Sequence, residues 1–225
     1  MLKIENTEVL GWEHAIRGMR NPMNSWEKSD SSWRYVAPAQ RESHILASYF
    51  DDSEFWIGPN DADLMSRLRN AGTDHRKFMR MITVYVDLIG PLYWWKEFDT
   101  YKVGTTANST STMHKIHAKP FSAADFSCEC MLPEARESLE GTIAALEALR
   151  LRYLETKDKA VWYSIIQLLP SSYNQMRTCT MTYENLVSMY FARRHHKLDE
   201  WHDYCAWIES LPYFKALFLE NEAEK

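Results

Sequence analysis

The sequence lacks several features that would place it in a specialised class. Its 225 residues carry a formal charge of −5, so no basic excess indicates binding to nucleic acid or to an anionic membrane. No stretch approaches the roughly eighteen consecutive apolar residues of a helix that spans a bilayer. Internal repeats and low-complexity linkers are also missing. We therefore expect a globular chain that binds neither nucleic acid nor membrane.

Cysteine is scarce and follows no recognised spacing. The four cysteines are Cys128, Cys130, Cys179 and Cys205, and none forms the C-x-x-C hook of a zinc ribbon or a redox site. A chain of this length does not need disulfides for stability. Residues 1–14 are too charged for the apolar region of a secretory signal. These features predict reduced thiols and a cytoplasmic protein.

Aromatic residues, by contrast, are abundant. Nine Trp and twelve Tyr suit a core, but also subunit interfaces and sites that hold planar ligands. The length and the apolar fraction of 45% indicate a single domain over residues 1–225. Within it, residues 1–60 contain Pro22, Pro38 and Pro59 and are expected to be irregular, apart from a short helix near residues 41–50.

Apolar periodicity predicts an α+β fold with a small antiparallel sheet packed among many helices. In residues 81–89 the side chains of Ile82, Val84, Val86 and Leu88 alternate with polar ones, which is typical of a half-buried strand. A weaker alternation over 173–183 predicts a strand that pairs with it. Helices are predicted at 61–72, 92–101, 134–156, 159–169, 184–196, 199–211 and 213–222. The strongest is 134–156, in which one apolar stripe contains Leu139, Ile143, Leu146, Leu149 and Leu154.

Residues 100–117 form an unusually hydroxyl-rich segment. Seven of these eighteen positions are Ser or Thr, with one Asn among them. Caps and turns use such side chains, so turn chemistry is one interpretation of the segment. The density exceeds what capping needs, however, and hydroxyl and amide groups can bind a phosphate or a polar heterocycle. A ligand site is the second interpretation.

The adjacent pair Arg193-Arg194 is a second candidate. Val187, Tyr190 and Phe191 form an apolar stripe on a predicted helix, and Arg194 continues it. Arg193 similarly follows Leu186, Met189 and Tyr190. One of the two guanidinium groups is therefore expected beside apolar side chains, where it needs an anionic or carbonyl partner. An internal salt bridge and a bound ligand both satisfy that requirement, and periodicity does not choose between them.

The histidines do not form a metal-binding pattern. His114 and His117 are three residues apart, a spacing that can place two ligands on one helix face. The sequence contains no H-x-x-x-H or E-x-x-H pattern to support such a site. We therefore expect no metal.

Together these segments resemble those of the flavin-dependent thymidylate synthases, and the sequence looks like a diverged member of that family. That family has a strand, a Gly-Pro turn into a helix, and the signature R-H-R-x-x-S-x-N-E-x-S-x-R. Here the strand "MITVYVDLI", the segment "GPLYWW" and the segment "YKVGTTANSTSTM" occupy those places. Thr106 and Ser111 fall on the two signature serines and Asn108 on the asparagine. His75 precedes the strand at the distance of a flavin-contacting histidine.

The C-terminal half supports the same resemblance. The family has an L-P motif, a short strand, and a helix that ends in a nucleotide-binding Arg followed closely by a Trp. Leu169-Pro170, Arg194 and Trp201 keep that order and spacing. The similarity spans roughly residues 61–210.

The resemblance implies a homotetramer with shared active sites that converts dUMP to dTMP. Its co-substrates and cofactor would be methylenetetrahydrofolate, NADPH and FAD. It implies catalytic roles for Ser111, which would orient the pyrimidine without attacking it, and for Arg194. The implied FAD contacts are His75, Lys102, Thr106 and Asn108, and the implied nucleotide contacts are Ser109, Ser111 and Arg194.

The sequence also departs from the family pattern. R-H-R is replaced by Tyr101-Lys102-Val103, or by Thr100-Tyr101-Lys102 with a one-residue shift. Ser109 replaces the signature Glu, and Met113 replaces its last Arg. Ile166 and Gln167 stand where an Arg is expected before the L-P motif. These losses leave two alternatives open: a homologue that binds nucleotide without turnover, and an enzyme that modifies another pyrimidine nucleotide.

Overall fold

The computed structural model describes residues 2–35 and 53–219, which form an α+β fold with a small antiparallel sheet. The fold class predicted from the sequence is therefore confirmed. The helix predicted near 41–50 lies outside the described residues. Within the described residues no helix is both long enough and apolar enough to cross a bilayer.

The described residues form six β-strands and eight α-helices. The strands are β1 (Lys3–Leu10), β2 (Ser32–Tyr35), β3 (Ser53–Trp56), β4 (Thr83–Pro91), β5 (Thr106–Ser109) and β6 (Asn174–Thr182). The helices are α1 (Trp12–Arg20), α2 (Pro59–Asn70), α3 (Leu92–Phe98), α4 (Pro133–Thr156), α5 (Lys159–Leu168), α6 (Tyr183–Arg193), α7 (Asp199–Ser210) and α8 (Phe214–Phe218).

One sheet has the strand order β1-β4-β6-β5. The predicted pairing of β6 with β4 is confirmed. Ile82, Val84, Val86 and Leu88 are buried in or beside β4, as their alternation predicted. β5 was not predicted as a strand, because its four residues are all exposed and carry no apolar alternation. β2 and β3 form a separate antiparallel pair.

The N-terminal part is regular where the structure describes it, so the prediction that residues 1–60 are irregular was wrong. β1 and α1 lie there. Trp12, Ala15, Ile16 and Met19 follow helical spacing in α1 and are all buried. The spacing of these four residues is visible in the sequence. Pro22 lies after α1 has ended.

The chain divides into two compact units. Unit 1 contains the described part of Met1–Lys3 together with Leu88–Thr100 and Asn108–Arg177. Unit 2 contains the described parts of Ile4–Asp87, Tyr101–Ala107 and Thr178–Lys225. A single domain over 1–225 stays a prediction.

The core of unit 1 lies against the α4–α5 helix pair. α4 supplies Leu139 and Leu146 to it, as its apolar stripe predicted, whereas Leu154 at the edge of the stripe is exposed. The buried cluster consists of Ile116, Phe121, Phe126, Leu139, Leu146, Ile165 and Tyr173.

A buried ion pair organises part of unit 2. Arg20 Nε lies 2.6 Å from Asp61 Oδ1, and both side chains are almost inaccessible to solvent. The other Arg20 nitrogens donate to the carbonyls of Ser25 and Lys28. Asp61 Oδ2 accepts the hydroxyl of Ser29 and that of the nearby Ser31, each at 2.7 Å. The pair therefore fastens the loop after α1 to the start of α2.

Candidate functional site

β5 carries polar side chains that are exposed to solvent. Thr106, Asn108 and Ser109 are exposed. None of the three side chains forms a hydrogen bond with a residue in the ranges that the structure describes. Their hydroxyl and amide groups are therefore available to a ligand, as the second interpretation of the hydroxyl-rich segment requires.

Other hydroxyls of the segment donate hydrogen bonds to backbone carbonyls. Thr100 donates to the carbonyl of Glu97 at 2.7 Å, and Thr105 donates to the carbonyl of Tyr101. Thr110 Oγ1 donates to the carbonyl of Met176 at 3.3 Å. The turn interpretation is correct for Thr100 and Thr105, whereas Thr110 is bound to β6. The segment thus combines structural hydroxyls with the exposed ones of β5.

Ser111 has a partly occupied hydroxyl. Its Oγ accepts the backbone N–H of Met113 at 3.2 Å and that of His114 at 2.8 Å. Two donors on one oxygen use its lone pairs and leave its O–H to donate. No described residue accepts that proton. Ser111 is therefore arranged as a hydrogen-bond donor, whose oxygen is held by the turn that it caps.

The two adjacent arginines have different surroundings within unit 2. Arg193 is half-buried and donates from Nε to the Tyr101 hydroxyl at 2.8 Å. Its guanidinium carbon lies 5.4 Å from the Tyr101 ring centre and 4.7 Å from that of Trp201. Arg193 is thus the residue beside apolar side chains. Arg194 keeps the helical spacing, since its N–H donates to the carbonyl of Tyr190 at 2.9 Å. The stripe that it continues is only partly buried at Tyr190 and Phe191, which leaves Arg194 at the surface.

Arg194 is exposed. Its guanidinium carbon lies 4.9 Å from the centre of the Phe191 ring, on the same helix. No carboxylate among residues 2–35 and 53–219 forms an ion pair with it, so the internal salt bridge considered for this position is not formed there. An exposed guanidinium without an anionic partner can bind a phosphate, a carboxylate or a carbonyl oxygen.

Lys102 lies in a loop that is closely held by α6. Asn185 donates from Nδ2 to the carbonyl of Val103 at 2.8 Å, and it also completes a capping box with Thr182 at the start of α6. Gly104 has φ +77°, and a Cβ at this position would come within 2.9 Å of the Asn185 side chain. The loop therefore requires glycine there. Lys102 itself is exposed, and no described carboxylate pairs with it.

His75 precedes a short 3-10 helix, Arg76–Arg80. Its ring is exposed and forms no hydrogen bond, ion pair or ring contact with another described residue. Glu184, in the first turn of α6, pairs with Arg76 at 3.3 Å and with Arg80. These ion pairs fix the backbone that carries His75 and leave its ring accessible.

His117, one of the two histidines considered as metal ligands, is a packing residue. Groups of three or more potential ligands that could hold a metal ion are missing from the part of the chain that the structure describes. His117 packs edge-on against the Tyr153 ring at 4.7 Å. Burial lowers the pKa of His117, and the charges of Lys157 and Lys115 lower it further. The ring of His117 is therefore a neutral packing group near pH 7.

Comparisons with known proteins support the fold alone. No family model and no curated protein sequence matches the chain. Its fold is similar to a crystal structure of the flavin-dependent thymidylate synthase ThyX from Helicobacter pylori complexed with FAD and dUMP. The TM-score is 0.65 at 16% identity, and the match covers 96% of this chain and 98% of the other. A second structure of Helicobacter pylori ThyX with FAD and dUMP gives a TM-score of 0.66 at 16% identity, covering 97% and 98%.

Proposed function

We propose that the chain is a flavin-dependent thymidylate synthase-like enzyme that methylates dUMP to dTMP. Methylenetetrahydrofolate would supply the carbon, and bound FAD, reduced by NADPH, would supply the hydride. The observation that carries the proposal is a fold similarity over nearly the whole chain to two structures of one enzyme bound to FAD and dUMP. The exposed donors of β5 and the exposed Arg194 are consistent with it.

Three side chains are proposed to bind the nucleotide: Ser109, Ser111 and Arg194. The O–H of Ser111 would donate to a ring carbonyl oxygen, and the exposed hydroxyl of Ser109 would bind beside it. Arg194 would bind an oxygen of the ring or the phosphate through a charge-assisted hydrogen bond. None of these roles requires a covalent bond between protein and nucleotide. The protein would contribute orientation and charge complementarity.

Four side chains are proposed to hold FAD: His75, Lys102, Thr106 and Asn108. Lys102 is an exposed cation suited to the diphosphate, and Thr106 and Asn108 offer neutral donors. The accessible His75 ring would face the isoalloxazine. This donor set fits flavin adenine dinucleotide, with one lysine where the R-H-R part of the family signature has two arginines. We therefore expect weaker FAD binding than a full R-H-R motif would give.

A homotetramer is proposed as the active form. Leu151, Leu154, Tyr163 and Leu168 of α4 and α5 are all at least 39% exposed, although they are large and apolar. Contact with further copies would remove this surface from water, and such copies can complete one another's sites. Light scattering should then give a mass near four times 26.5 kDa. A monomer at micromolar concentration would contradict shared sites.

One observation favours a second candidate, a homologue that binds nucleotide without turnover. Tyr101 stands at the place of the first signature arginine, and its hydroxyl is bound to Arg193. Ile166 and Gln167 likewise stand where the family has a cation. These changes remove positive charge that the proposed enzyme would use for phosphates.

Flavin and nucleotide binding separate the two candidates. The purified protein should carry the yellow flavin absorbance or acquire it on addition of FAD, and dUMP should raise its melting temperature. It should then form dTMP from dUMP when methylenetetrahydrofolate and NADPH are supplied. A protein that binds dUMP, does not bind FAD and forms no dTMP would be the non-catalytic homologue. A protein that binds neither ligand would contradict both.

A further inference from the structure

Thr110, the residue before Ser111, is held on both sides of its peptide by β6. Its N–H donates to the carbonyl of Met176 at 2.9 Å, and its carbonyl accepts Nε2 of Gln175 at 2.7 Å. Gln175 is buried. Because Thr110 directly precedes Ser111, these two hydrogen bonds set the backbone path from which the Ser111 hydroxyl projects.

Arg177 decides which way the Gln175 amide faces. Its Nε donates to Gln175 Oε1 at 3.1 Å. A guanidinium group can only donate, so the amide oxygen must face Arg177 and the amide nitrogen must face the carbonyl of Thr110. The Gln175 backbone is held as well, since Trp95 Nε1 donates to its carbonyl at 3.0 Å. Rotation of this amide would place two oxygens against each other at Thr110.

Arg177 is itself fixed by an ion pair and a ring. Its guanidinium donates to Asp99 Oδ1 at 2.6 Å, and its central carbon lies 4.1 Å from the centre of the Trp95 ring. The Arg177 side chain is 15% exposed, whereas the Asp99 side chain is 51% exposed. A pair with a half-exposed carboxylate contributes little to global stability. Its principal effect is therefore local and acts on the orientation of Gln175.

We propose that Asp99, Arg177 and Gln175 form a positioning network for Ser111. Asp99 orients Arg177, Arg177 orients the Gln175 amide, and Gln175 holds the peptide that leads into Ser111. None of the three is a catalytic residue, since each acts through another. The contribution of the network to nucleotide binding rests on the proposed function, but its effect on residues 110–114 does not.

Hydrogen exchange tests the local effect without any ligand. Gln175→Glu keeps the size of the side chain and an acceptor for Arg177 but removes the donor to Thr110, and Arg177→Met removes the group that orients the amide. Both variants should raise the exchange rates of the Thr110 and His114 amides by about tenfold, in line with one lost hydrogen bond. Amides of β4 and α4 should exchange as in the wild type.

A matched control is Asp63→Asn, which removes the carboxylate of an exposed Arg–Asp pair in α2, with Arg67 Nη2 and Asp63 Oδ2 2.8 Å apart. It should leave residues 110–114 unchanged. Exchange that is faster across the whole protein in the Gln175 and Arg177 variants would assign the network to general stability. Unchanged exchange at Thr110 would also overturn the proposal.

Ligand binding tests the link to Ser111. In both variants the Kd for dUMP and the KM for dUMP should rise by about tenfold, since the Ser111 donor is no longer aligned, while the Kd for FAD should stay at the wild-type value. Faster exchange combined with unchanged dUMP binding would overturn the positioning role. If the wild type does not bind dUMP at all, the proposed function fails, and the exchange experiment alone decides the network.

Discussion

Arg193 donates a hydrogen bond from its Nε to the hydroxyl of Tyr101 at 2.8 Å. This contact separates the roles of two adjacent arginines. Arg193 is held between the rings of Tyr101 and Trp201, whereas Arg194 is exposed at the end of α6. Arg193 therefore belongs to the packing of unit 2, and Arg194 is the guanidinium available to a ligand.

We expect Arg194→Ala to fold with nearly the stability of the wild type and to lose nucleotide affinity by about 2 kcal/mol, as for one charge-assisted hydrogen bond. Thermal melts with and without dUMP measure both effects. The wild type should gain melting temperature with dUMP, and the variant should gain little. Arg193→Ala is the matched control and should lower the melting temperature without ligand. An Arg194 variant that still responds fully to dUMP would exclude a nucleotide contact.

Ser111→Ala should lower turnover strongly while FAD remains bound. The substitution removes the O–H donor proposed for the pyrimidine, together with the acceptor for the amides of Met113 and His114. Loss of this cap should cost about 1 kcal/mol of stability. Steady-state rates and flavin absorbance measure the two outcomes. Ser111→Cys should form no stable covalent adduct with the nucleotide, and a trapped adduct in mass spectra would overturn the orienting role.

Periodicity predicted the strands and helices whose apolar residues recur regularly. β4 could be predicted because four alternating apolar side chains are buried in or beside it. α4 could be predicted because Leu139 and Leu146 lie on one apolar stripe. β5 could not be predicted from the sequence, since an exposed edge strand needs no apolar residues and is defined by its pairing with β6. Its backbone hydrogen bonds are made with residues distant in sequence, and apolar periodicity carries no information about such pairs.

The candidate site could likewise be predicted only in part. The composition of residues 100–117 identified the exposed Asn108 and Ser109, but not which hydroxyls the backbone uses. Asp99 and Arg177 are 78 residues apart and belong to no motif, so their pairing follows only from the fold. The choice between Arg193 and Arg194 likewise depended on the fold, since Arg193 is bound to Tyr101, which lies 92 residues away in sequence.

The buried pair of Arg20 and Asp61 should make stability depend on pH. Burial alone raises the pKa of Asp61, but the hydrogen bonds from Ser31, Ser29 and Arg20 outweigh it and lower the pKa below its ordinary value. A lowered pKa in the folded state means that the unfolded chain binds the proton more readily. The stabilisation is therefore complete above the ordinary pKa of about 3.9 and is lost as pH falls through the lower folded value.

Urea unfolding between neutral pH and about pH 3 measures this dependence. Asp61→Asn should lower the free energy of unfolding at pH 7 by about 3–5 kcal/mol, because it leaves the Arg20 charge buried without a counter-ion. Its stability should also fall less steeply than that of the wild type over the acidic range. The exposed carboxylate of Asp63 supplies the control, since Asp63→Asn should change neither the stability at pH 7 nor the slope. Parallel pH profiles for the wild type and Asp61→Asn would contradict the assignment.

Flavin binding should respond to two exposed residues that the fold does not need. Lys102 and His75 make no ion pair or ring contact with the described residues, so Lys102→Ala and His75→Ala should both melt like the wild type. Lys102→Ala should weaken FAD binding by about tenfold or more, because it removes the proposed charge at the diphosphate. Titration of each variant with FAD, followed by absorbance, gives the affinities.

His75→Ala should weaken FAD binding less, by roughly fivefold, for a ring contact of about 1 kcal/mol. It should also shift the flavin absorbance band, because the ring would lie against the isoalloxazine, whereas Lys102→Ala should leave the band in place. FMN separates the two roles further, since it carries the isoalloxazine and one phosphate but lacks the adenylate. The loss of affinity caused by His75→Ala should be the same for FMN as for FAD. An unchanged spectrum and an unchanged titration would remove His75 from the flavin site.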